Sequence, residues 1–300
     1  MPKNITAFDI GESQVKVVSL AGGFVKRAEV LELPDNVVAG GTVVSMDALA
    51  DFLREKKLGR GRAGVILPDR LVFRRNVTVP PMTDAQLAYN LPFEFKDYLT
   101  QEKGRYFFDY ALQGLEKDQE GQVEGMELFA CATLKTTIED YRNMFRRAGF
   151  NMKLALPEEC AFGNLAKFHA RQNPGHDGDV CIVDIGHRGT RMYIYREGQF
   201  RTRRAVDLGL WDLVQQLSAD RGVDAHMAHT HLLTDYQQAQ NQEAAQELYN
   251  RLAVEIMKAV NFYNYNNREQ TLRGVYLCGG GAALEPLKRV ISQVTDLELW

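Results

Sequence analysis

The chain has 300 residues, which is long enough for two domains that each bury a core. Its formal net charge is −3 and 25% of its residues are charged, so there is no overall electrostatic attraction to nucleic acid or to an anionic membrane. No stretch approaches the roughly 18 apolar residues of a membrane span, and the N-terminus enters a strand pattern without the apolar core of a signal peptide. The four cysteines lack metal-type spacing, which predicts reduced thiols in a reducing compartment.

The first half of the chain opens with two predicted strands joined by a tight turn. Apolar residues fill Thr6–Ile10 and Val15–Leu20, and Gly11 lies between them. Alternating patterns predict further strands, and apolar residues at helical spacing predict helices. The predicted strands are Phe24–Leu33, Ala63–Leu67, Val72–Pro80, Tyr106–Leu112 and Met126–Thr133, and the predicted helices are Asp47–Lys57, Asp84–Leu99, Thr136–Ala148 and Glu158–Arg171. The polar stretch Glu116–Gly125 predicts a loose loop between two strands that we expect to pair.

The second half of the chain repeats the opening pattern. The segment Asn173–Asp179 is rich in Pro, Gly and Asp, which predicts a connector between two halves. The sequence Asp-Ile-Gly then recurs at the end of a predicted strand, at Asp184–Gly186 as at Asp9–Gly11, which indicates two related halves. The predicted strands here are Val180–Asp184, Thr190–Tyr195, Gln199–Ala205 and Gly274–Cys278, and the predicted helices are Leu210–Leu217, Asp224–Gln238, Gln242–Asn264 and Leu284–Val294.

Three glycine turns are candidates for holding phosphate. In each Asp-Ile-Gly turn, glycine lets backbone N–H groups approach phosphate oxygens, and Asp9 or Asp184 can hold a hydrated Mg²⁺. The run Gly279–Gly281 lies between a strand and a helix N-terminus, where the helix dipole favours phosphate. Each turn alone is also explained as a structural hairpin or a tightly packed strand-to-helix turn. Together they predict an ATP and Mg²⁺ site, and we expect them to meet in one interdomain cleft.

These turns, in this order and spacing, resemble the two phosphate motifs and the adenosine motif of the actin/Hsp70 superfamily over nearly the whole chain. Within it, Asp9–Lys16 (DIGESQVK) is similar to the DIG-SSS-VK opening of the PilM family, the FtsA-like proteins of type IV pilus assembly. Val38–Val44, Ile66–Pro68, Val77–Pro81 and Leu91–Phe93 also resemble that family. The resemblance implies an α/β, actin-like (ribonuclease H-like) two-domain fold.

The resemblance also implies how the chain divides into domains. Residues 1–70 and 132–172 would form the first actin-like domain, and residues 173–300 the second. Residues 71–131 fit the small strand-helix-strand subdomain that FtsA and PilM insert in the first half. Sugar kinases of the superfamily lack this insert, which favours PilM over a kinase.

By the same resemblance, the candidate catalytic residues are Asp9, Glu158 and Asp184, with both aspartates as candidate Mg²⁺ holders through water. Glu158 begins a helix where the superfamily often places a glutamate that positions water or metal near the γ-phosphate. A carboxylate that merely complements the helix dipole explains it as well. The candidate nucleotide-binding residues are Gly11, Glu12, Ser13, Lys16, Gly186, Gly189, Thr190, Gly209, Gly279, Gly280, Gly281 and Ala282.

Both phosphate turns depart from the family pattern. Glu12 replaces a small hydroxyl residue, and its carboxylate would repel phosphate unless it turned to solvent. In the second turn, His187 and Arg188 replace small hydroxyl residues. Arg188 could pair with a phosphate, or both side chains could fill the site. Gly209 is followed by Leu210 instead of a second glycine. We therefore expect nucleotide binding with weak or no ATPase activity.

The function implied is a cytosolic scaffold of the type IV pilus assembly platform, peripheral to the inner membrane through its partners. Its implied partner is the short N-terminal cytoplasmic tail of a PilN-like membrane protein, seated in a groove built from Leu71–Leu99 and the strands around Tyr106–Leu112. Self-association is possible in such a fold, and no nucleic acid is implied. The alternatives are a sugar or small-molecule kinase, which would need a GxxxD-type catalytic Asp that we do not find, and an FtsA-like cell-division protein, which would carry a C-terminal amphipathic membrane helix.

Overall fold

The computed structural model describes residues 4–172, 178–267, 272 and 274–300. Residues 173–177 of the predicted connector lie outside the described residues. The described α-helices are α1 (Met46–Glu55), α2 (Asp84–Glu94), α3 (Lys135–Arg147), α4 (Glu158–Gln172), α5 (Leu210–Arg221), α6 (Ala225–Leu233), α7 (Glu243–Asn266) and α8 (Glu285–Thr295). The described strands are β1 (Ile5–Ile10), β2 (Gln14–Ala21), β3 (Phe24–Glu32), β4 (Val38–Ala39), β5 (Thr42–Val43), β6 (Gly61–Ile66), β7 (Phe73–Val79), β8 (Tyr106–Lys117), β9 (Val123–Leu134), β10 (Phe150–Leu156), β11 (Val180–Ile185), β12 (Thr190–Arg196), β13 (Gln199–Val206), β14 (Gly274–Cys278) and β15 (Glu298–Leu299). No helix in these ranges is both long and apolar enough to cross a bilayer.

The chain divides into two compact units, Met1–Ala161 and Phe162–Trp300. Helix α4 begins in the first unit and continues into the second. The finer division predicted above, with an inserted subdomain at 71–131, stays a prediction.

The first unit contains a five-stranded sheet in the order β10-β6-β1-β2-β3. Strand β1 is antiparallel to β2 and parallel to β6. Side chains alternate between the faces of a strand, so β1 can direct Phe8 to one face. There Phe8 shares a buried cluster with Leu49 and Leu53 of α1 and with Tyr141 and Phe145 of α3. This packing places the first glycine turn at the carboxyl end of β1.

The second unit contains a five-stranded sheet in the order β13-β12-β11-β14-β15. Strand β11 is antiparallel to β12 and parallel to β14, so this sheet repeats the strand pattern of the first. Val183 and Ile185 of β11 are buried in one cluster with Leu213 of α5, Ile256 of α7 and Ile291 of α8. The repeated Asp-Ile-Gly therefore marks a repeated sheet, as the sequence predicted.

A separate three-stranded antiparallel sheet, in the order β7-β9-β8, lies in the first unit. Helix α2 packs on it through Leu87 and Leu91, which share a buried cluster with Phe95. The helix starts at a capping box, in which the side chains of Thr83 and Gln86 each accept a hydrogen bond from the other residue's backbone N–H.

The predicted helix Asp84–Leu99 is wrong beyond Glu94. The backbone of Phe95 leaves the helical conformation, at φ −102° and ψ 3°, and Tyr98 N–H donates to the Phe95 carbonyl in a turn. The Phe95 ring is then buried 5.7 Å from the ring of Phe108. Burying this aromatic side chain therefore accompanies the end of the helix.

Several strands also differ from the prediction. Strand β8 extends to Lys117 and strand β9 begins at Val123, so the predicted loop Glu116–Gly125 is too long. Strand β10 was not predicted, although Phe150 and Met152 alternate as its buried residues. The short strands β4, β5 and β15 have too few residues to show a period.

The predicted helix Asp224–Gln238 ends early, at Leu233. Asp235, Gln237 and Gln238 have left-handed φ values of 51°, 50° and 54°, which a right-handed α-helix does not accommodate. Side-chain composition alone did not indicate this break.

Candidate functional site

The first glycine turn closes tightly on itself. The Gly11 N–H donates to the Gln14 carbonyl at 2.9 Å. Behind the turn, Asp9 faces Lys16 across the hairpin, and the Lys16 ammonium lies 2.9 Å from the Asp9 carboxylate. Their side chains are 41% and 50% exposed, so this ion pair contributes little to stability and leaves both groups accessible to a ligand.

The carboxylate of Glu12 binds the turn of a neighbouring hairpin. It accepts hydrogen bonds from the N–H groups of Gly40 at 3.2 Å and Gly41 at 3.1 Å. Both glycines have positive φ, 56° and 71°, as the two-residue turn between β4 and β5 requires. The carbonyl of Ser13 accepts from Leu33 N–H at 2.8 Å. The departure at Glu12 is thus accommodated by contacts within the first unit.

The second glycine turn packs on the start of α5. Gly186 N–H donates to the Gly189 carbonyl at 3.0 Å, which closes the turn. Leu210 N–H donates to the Gly186 carbonyl at 3.1 Å, and Trp211 N–H donates to the His187 carbonyl at 2.7 Å. The first N–H groups of a helix have no partner within the helix, and here the turn supplies acceptors for two of them.

Two residues beside this turn have structural partners. Thr190 is buried, and its hydroxyl donates to the Leu208 carbonyl at 2.8 Å. At Gly209, a Cβ would lie 2.5 Å from the His187 carbonyl oxygen and 2.6 Å from the Gly189 nitrogen. Only glycine fits this approach without a shift of backbone, which explains Gly209 independently of any ligand.

The two bulky residues of the second turn lie on Trp211. The His187 and Trp211 ring centroids are 5.1 Å apart, and the Arg188 guanidinium carbon is 4.7 Å from the Trp211 ring centroid. A cation over an indole ring is stabilised by about 0.5–1 kcal/mol at an exposed site. Both departures in this turn therefore contact α5.

The glycine run after β14 lies directly against the end of β11. Cys278 is the parallel partner of Asp184. A Cβ on Gly279, whose φ is 80°, would lie 2.3 Å from a carboxylate oxygen of Asp184, and a Cβ on Gly281 would lie 2.3 Å from the Ile185 side chain. The structure thus brings the second turn and the glycine run together within the second unit. Their approach to Gly11, which is in the first unit, stays a prediction.

A buried acid next to Glu158 was missed by the sequence reasoning. Glu158 is half-buried at the start of α4, whereas the carboxylate of Glu159 is buried and lies 2.8 Å from Nε of Arg74. Nη1 of Arg74 lies 2.8 Å from a carboxylate oxygen of Asp69. Glu159 precedes the buried Ala166 by seven residues, or two helical turns, so both side chains lie on the same face of α4. This spacing could have predicted from the sequence that Glu159 is buried.

A cavity of about 420 Å³ lies in the first unit, beside the three-stranded sheet. One wall is an open sheet face, where Phe107, Asp109 and Ala111 of β8 are the cross-strand partners of Thr133, Cys131 and Phe129 of β9. The facing wall comes from α3, the end of β10 and the start of α4, through Ile138, Arg142, Ala155, Leu156, Pro157 and Cys160. On the sheet wall, burial raises the pKa of the Cys131 thiol far above its usual range, so that this thiol stays protonated and uncharged.

No group of three or more His, Cys, Asp or Glu side chains in the described part of the chain could hold a metal ion alone. This finding concerns only sites made of several side chains. A single carboxylate that binds hydrated Mg²⁺ together with phosphate is a different kind of site.

Two sheets with one strand pattern, each with an Asp-Ile-Gly hairpin at the same strand end, define an actin-like ATPase fold. The predicted fold class is thereby confirmed. A family profile for type IV pilus assembly protein PilM matches residues 7–299, and the chain belongs to that family. No curated protein matches the chain.

Solved structures share the fold. A PilM-PilN type IV pilus biogenesis complex has a TM-score of 0.81 at 19% identity, covering 98% of this chain and 87% of that chain. The ethanolamine utilization protein EutJ from Carboxydothermus hydrogenoformans has a TM-score of 0.62 at 14% identity, covering 100% of this chain and 84% of that chain. MreB5 of Spiroplasma citri bound to ADP has a TM-score of 0.58 at 11% identity, covering 100% of this chain and 91% of that chain.

Proposed function

We propose that this chain is a cytosolic, actin-like scaffold of the type IV pilus assembly platform that binds the N-terminal cytoplasmic tail of a PilN-like inner-membrane protein. It would then be held at the membrane by that partner. The observation that carries the proposal is the cavity beside the three-stranded sheet, in a chain of the PilM family.

The chemistry of the cavity suits a short peptide. Most of its walls are apolar, and its 420 Å³ lies within the range of about 300–1,000 Å³ that is usual for ligand sites. Among the described residues, Arg142 has no hydrogen-bond or ion-pair partner, so a peptide carboxylate could pair with it. The predicted groove, built from Leu71–Leu99 and the strands around Tyr106–Leu112, includes the wall that β8 forms.

A filled cavity tests the partner proposal. Replacing the exposed Ala111 with Trp would place an indole where we propose the tail to lie. We expect Ala111→Trp to weaken binding of a labelled PilN tail peptide at least tenfold, which is about 1.4 kcal/mol. The matched control is Ala28→Trp, on an exposed edge strand of the same unit outside the cavity. Equal binding by both variants and the unsubstituted chain would contradict the proposal.

We further propose that the chain binds ATP with Mg²⁺, as MreB5 of Spiroplasma citri binds ADP and AMPPNP. The chemistry fits, because carboxylate oxygens suit Mg²⁺ and because glycine lets the backbone at 279–281 lie against Asp184. Mg²⁺ keeps several of its waters, so we assign Asp9 and Asp184 to hold it through water. The bound ion would offset phosphate charge.

The proposed nucleotide contacts are Gly11, Glu12, Ser13, Lys16, Gly186, Gly189, Thr190, Gly209, Gly279, Gly280, Gly281 and Ala282, and the proposed catalytic residues are Asp9, Glu158 and Asp184. We propose slow or absent hydrolysis, because the first turn adds the charge of Glu12 and because the Arg188 guanidinium lies on Trp211.

Binding of a fluorescent ATP analogue, with and without Mg²⁺, tests the nucleotide proposal. We expect Asp9→Ala and Asp184→Ala each to lower Mg²⁺-dependent affinity about tenfold or more. The control is Asp97→Ala, at an exposed acid shortly after the end of α2. The assignment fails if the unsubstituted chain binds no analogue, or if neither aspartate variant changes its affinity.

A further inference from the structure

Strand β8 is an edge strand along its whole length in the described sheet. It pairs with β9 on one side, and the order β7-β9-β8 gives it no strand on the other. Alternate N–H and C=O groups of an antiparallel edge strand point away from the sheet and are available to another chain. The backbone of β8 therefore offers hydrogen-bonding groups as well as side chains.

This edge strand forms part of the cavity wall. Five consecutive residues of β8, Phe107–Ala111, line it. Side chains alternate between strand faces, and Phe108 and Tyr110 pack with the buried cluster under α2, on the opposite face from Asp109. The cavity therefore lies against β8, the strand whose outer edge has no partner in the described sheet.

Of the usual defences of an edge, the part of β8 that borders the cavity carries one acidic side chain, Asp109, and lacks bulges, Lys and Pro. Its pairing with β9 is regular from Tyr106 to Leu112, whereas the register shifts between Leu112 and Gly114 and again between Glu116 and Lys117. Native edge strands are commonly protected by bulges, Lys or Pro. Both irregularities of β8 lie beyond the cavity, and Phe107–Ala111 contains neither Lys nor Pro.

From these observations we infer that the partner tail binds as an added strand on β8, with alternate side chains directed into the cavity. This inference rests on the proposed function and deepens it, since it specifies how the tail is recognised. Main-chain hydrogen bonds to β8 supply sequence-independent affinity, and the apolar walls select the side chains at every second position. The facing wall carries Ile138 and Arg142, one helical turn apart on α3, so it favours an apolar side chain followed by an acid.

An N-methyl scan of the tail tests strand addition. The probe is a labelled peptide of about fifteen residues, long enough to exceed one strand, from the N-terminus of a PilN-like protein of the same organism. Its backbone amides are methylated one at a time, and affinity for the full chain is measured by anisotropy. We expect methylation to weaken binding about tenfold at alternate residues and to leave the residues between them unchanged.

Hydrogen exchange gives an independent readout. Peptide binding should slow amide exchange in the β8 segment 107–111 but not in β3, an edge strand of the five-stranded sheet in the same unit. A methylation profile without a two-residue period, or unchanged exchange in β8 with a bound peptide, overturns strand addition and leaves the partner assignment intact. Failure of the unmodified peptide to bind overturns the partner assignment and the added strand together.

Discussion

The two Asp-Ile-Gly turns lie at the same place in two sheets of one pattern, yet they are held in different ways. In the first unit, a side-chain carboxylate reaches a separate hairpin, through Glu12 and the Gly40–Gly41 turn. In the second unit, backbone carbonyls of the turn accept from the first N–H groups of α5, and His187 and Arg188 lie on Trp211. The same backbone motif is thus fixed by exposed charge in one unit and by close packing in the other, so the two turns should respond differently to substitution.

The largest difference is expected between a methyl group added in the first turn, at Gly11, and one added at Gly209, the residue that packs against the second turn from the start of α5. In Gly209→Ala, the new Cβ would meet three backbone atoms at 2.5, 2.6 and 2.8 Å, whereas in Gly11→Ala it would meet the Gln14 carbonyl oxygen at 3.0 Å. We expect Gly209→Ala to lower the free energy of unfolding by about 2–3 kcal/mol and Gly11→Ala by about 1 kcal/mol. Urea denaturation measures both. Equal losses would show that the close approach of Gly209 to the second turn contributes no extra stability.

A smaller effect is expected when the Glu12 carboxylate is removed. Glu12→Ser deletes two charge-assisted hydrogen bonds at a partly exposed site, so the free energy of unfolding should fall by about 1 kcal/mol. Amide exchange at Gly40 and Gly41 should become faster, which NMR can measure. Glu12→Gln keeps one oxygen acceptor and should give an intermediate exchange rate. Unchanged exchange in both variants would mean that the carboxylate does not hold the hairpin.

The smallest effect is expected at Arg188. Arg188→Ala removes the cation from Trp211 and should lower the free energy of unfolding by about 0.5–1 kcal/mol. Trp211 emission should change as well, and a Trp300→Phe background isolates it, because these are the two tryptophans of the chain. Arg188→Lys keeps a cation and should preserve most of the signal. An emission spectrum that is the same in all three proteins would place Arg188 away from the ring.

Local patterns in the sequence predicted most of the fold. Alternation predicted the strands on both sides of each glycine turn, and the repeat of Asp-Ile-Gly predicted the repeated sheet. The end of α2 was missed because it accompanies the burial of Phe95 against Phe108, a contact between residues that are thirteen positions apart. Strand β10 carried a usable alternation that was overlooked.

The candidate site was less predictable than the fold. The sequence identified Glu12 as an unusual residue, but its partners are 28 and 29 residues away, and no local pattern links them. Glu158 was favoured over Glu159 by family resemblance, although helical phase places Glu159 on the buried face. Arg74, the partner of Glu159, lies on β7 of the three-stranded sheet, and only the assembled structure shows that contact.

Under the strand-addition proposal, the irregular half of β8 limits the length of the tail segment that can pair with this strand. Regular pairing with β9 beside the cavity covers the seven residues Tyr106–Leu112, and seven residues of extended chain span about 24 Å. Beyond Leu112 the register shifts, and bulges of this kind bend a strand and increase its local twist. Under the strand-addition proposal, the docking segment is therefore short, and the rest of the tail is a tether whose sequence is under little constraint.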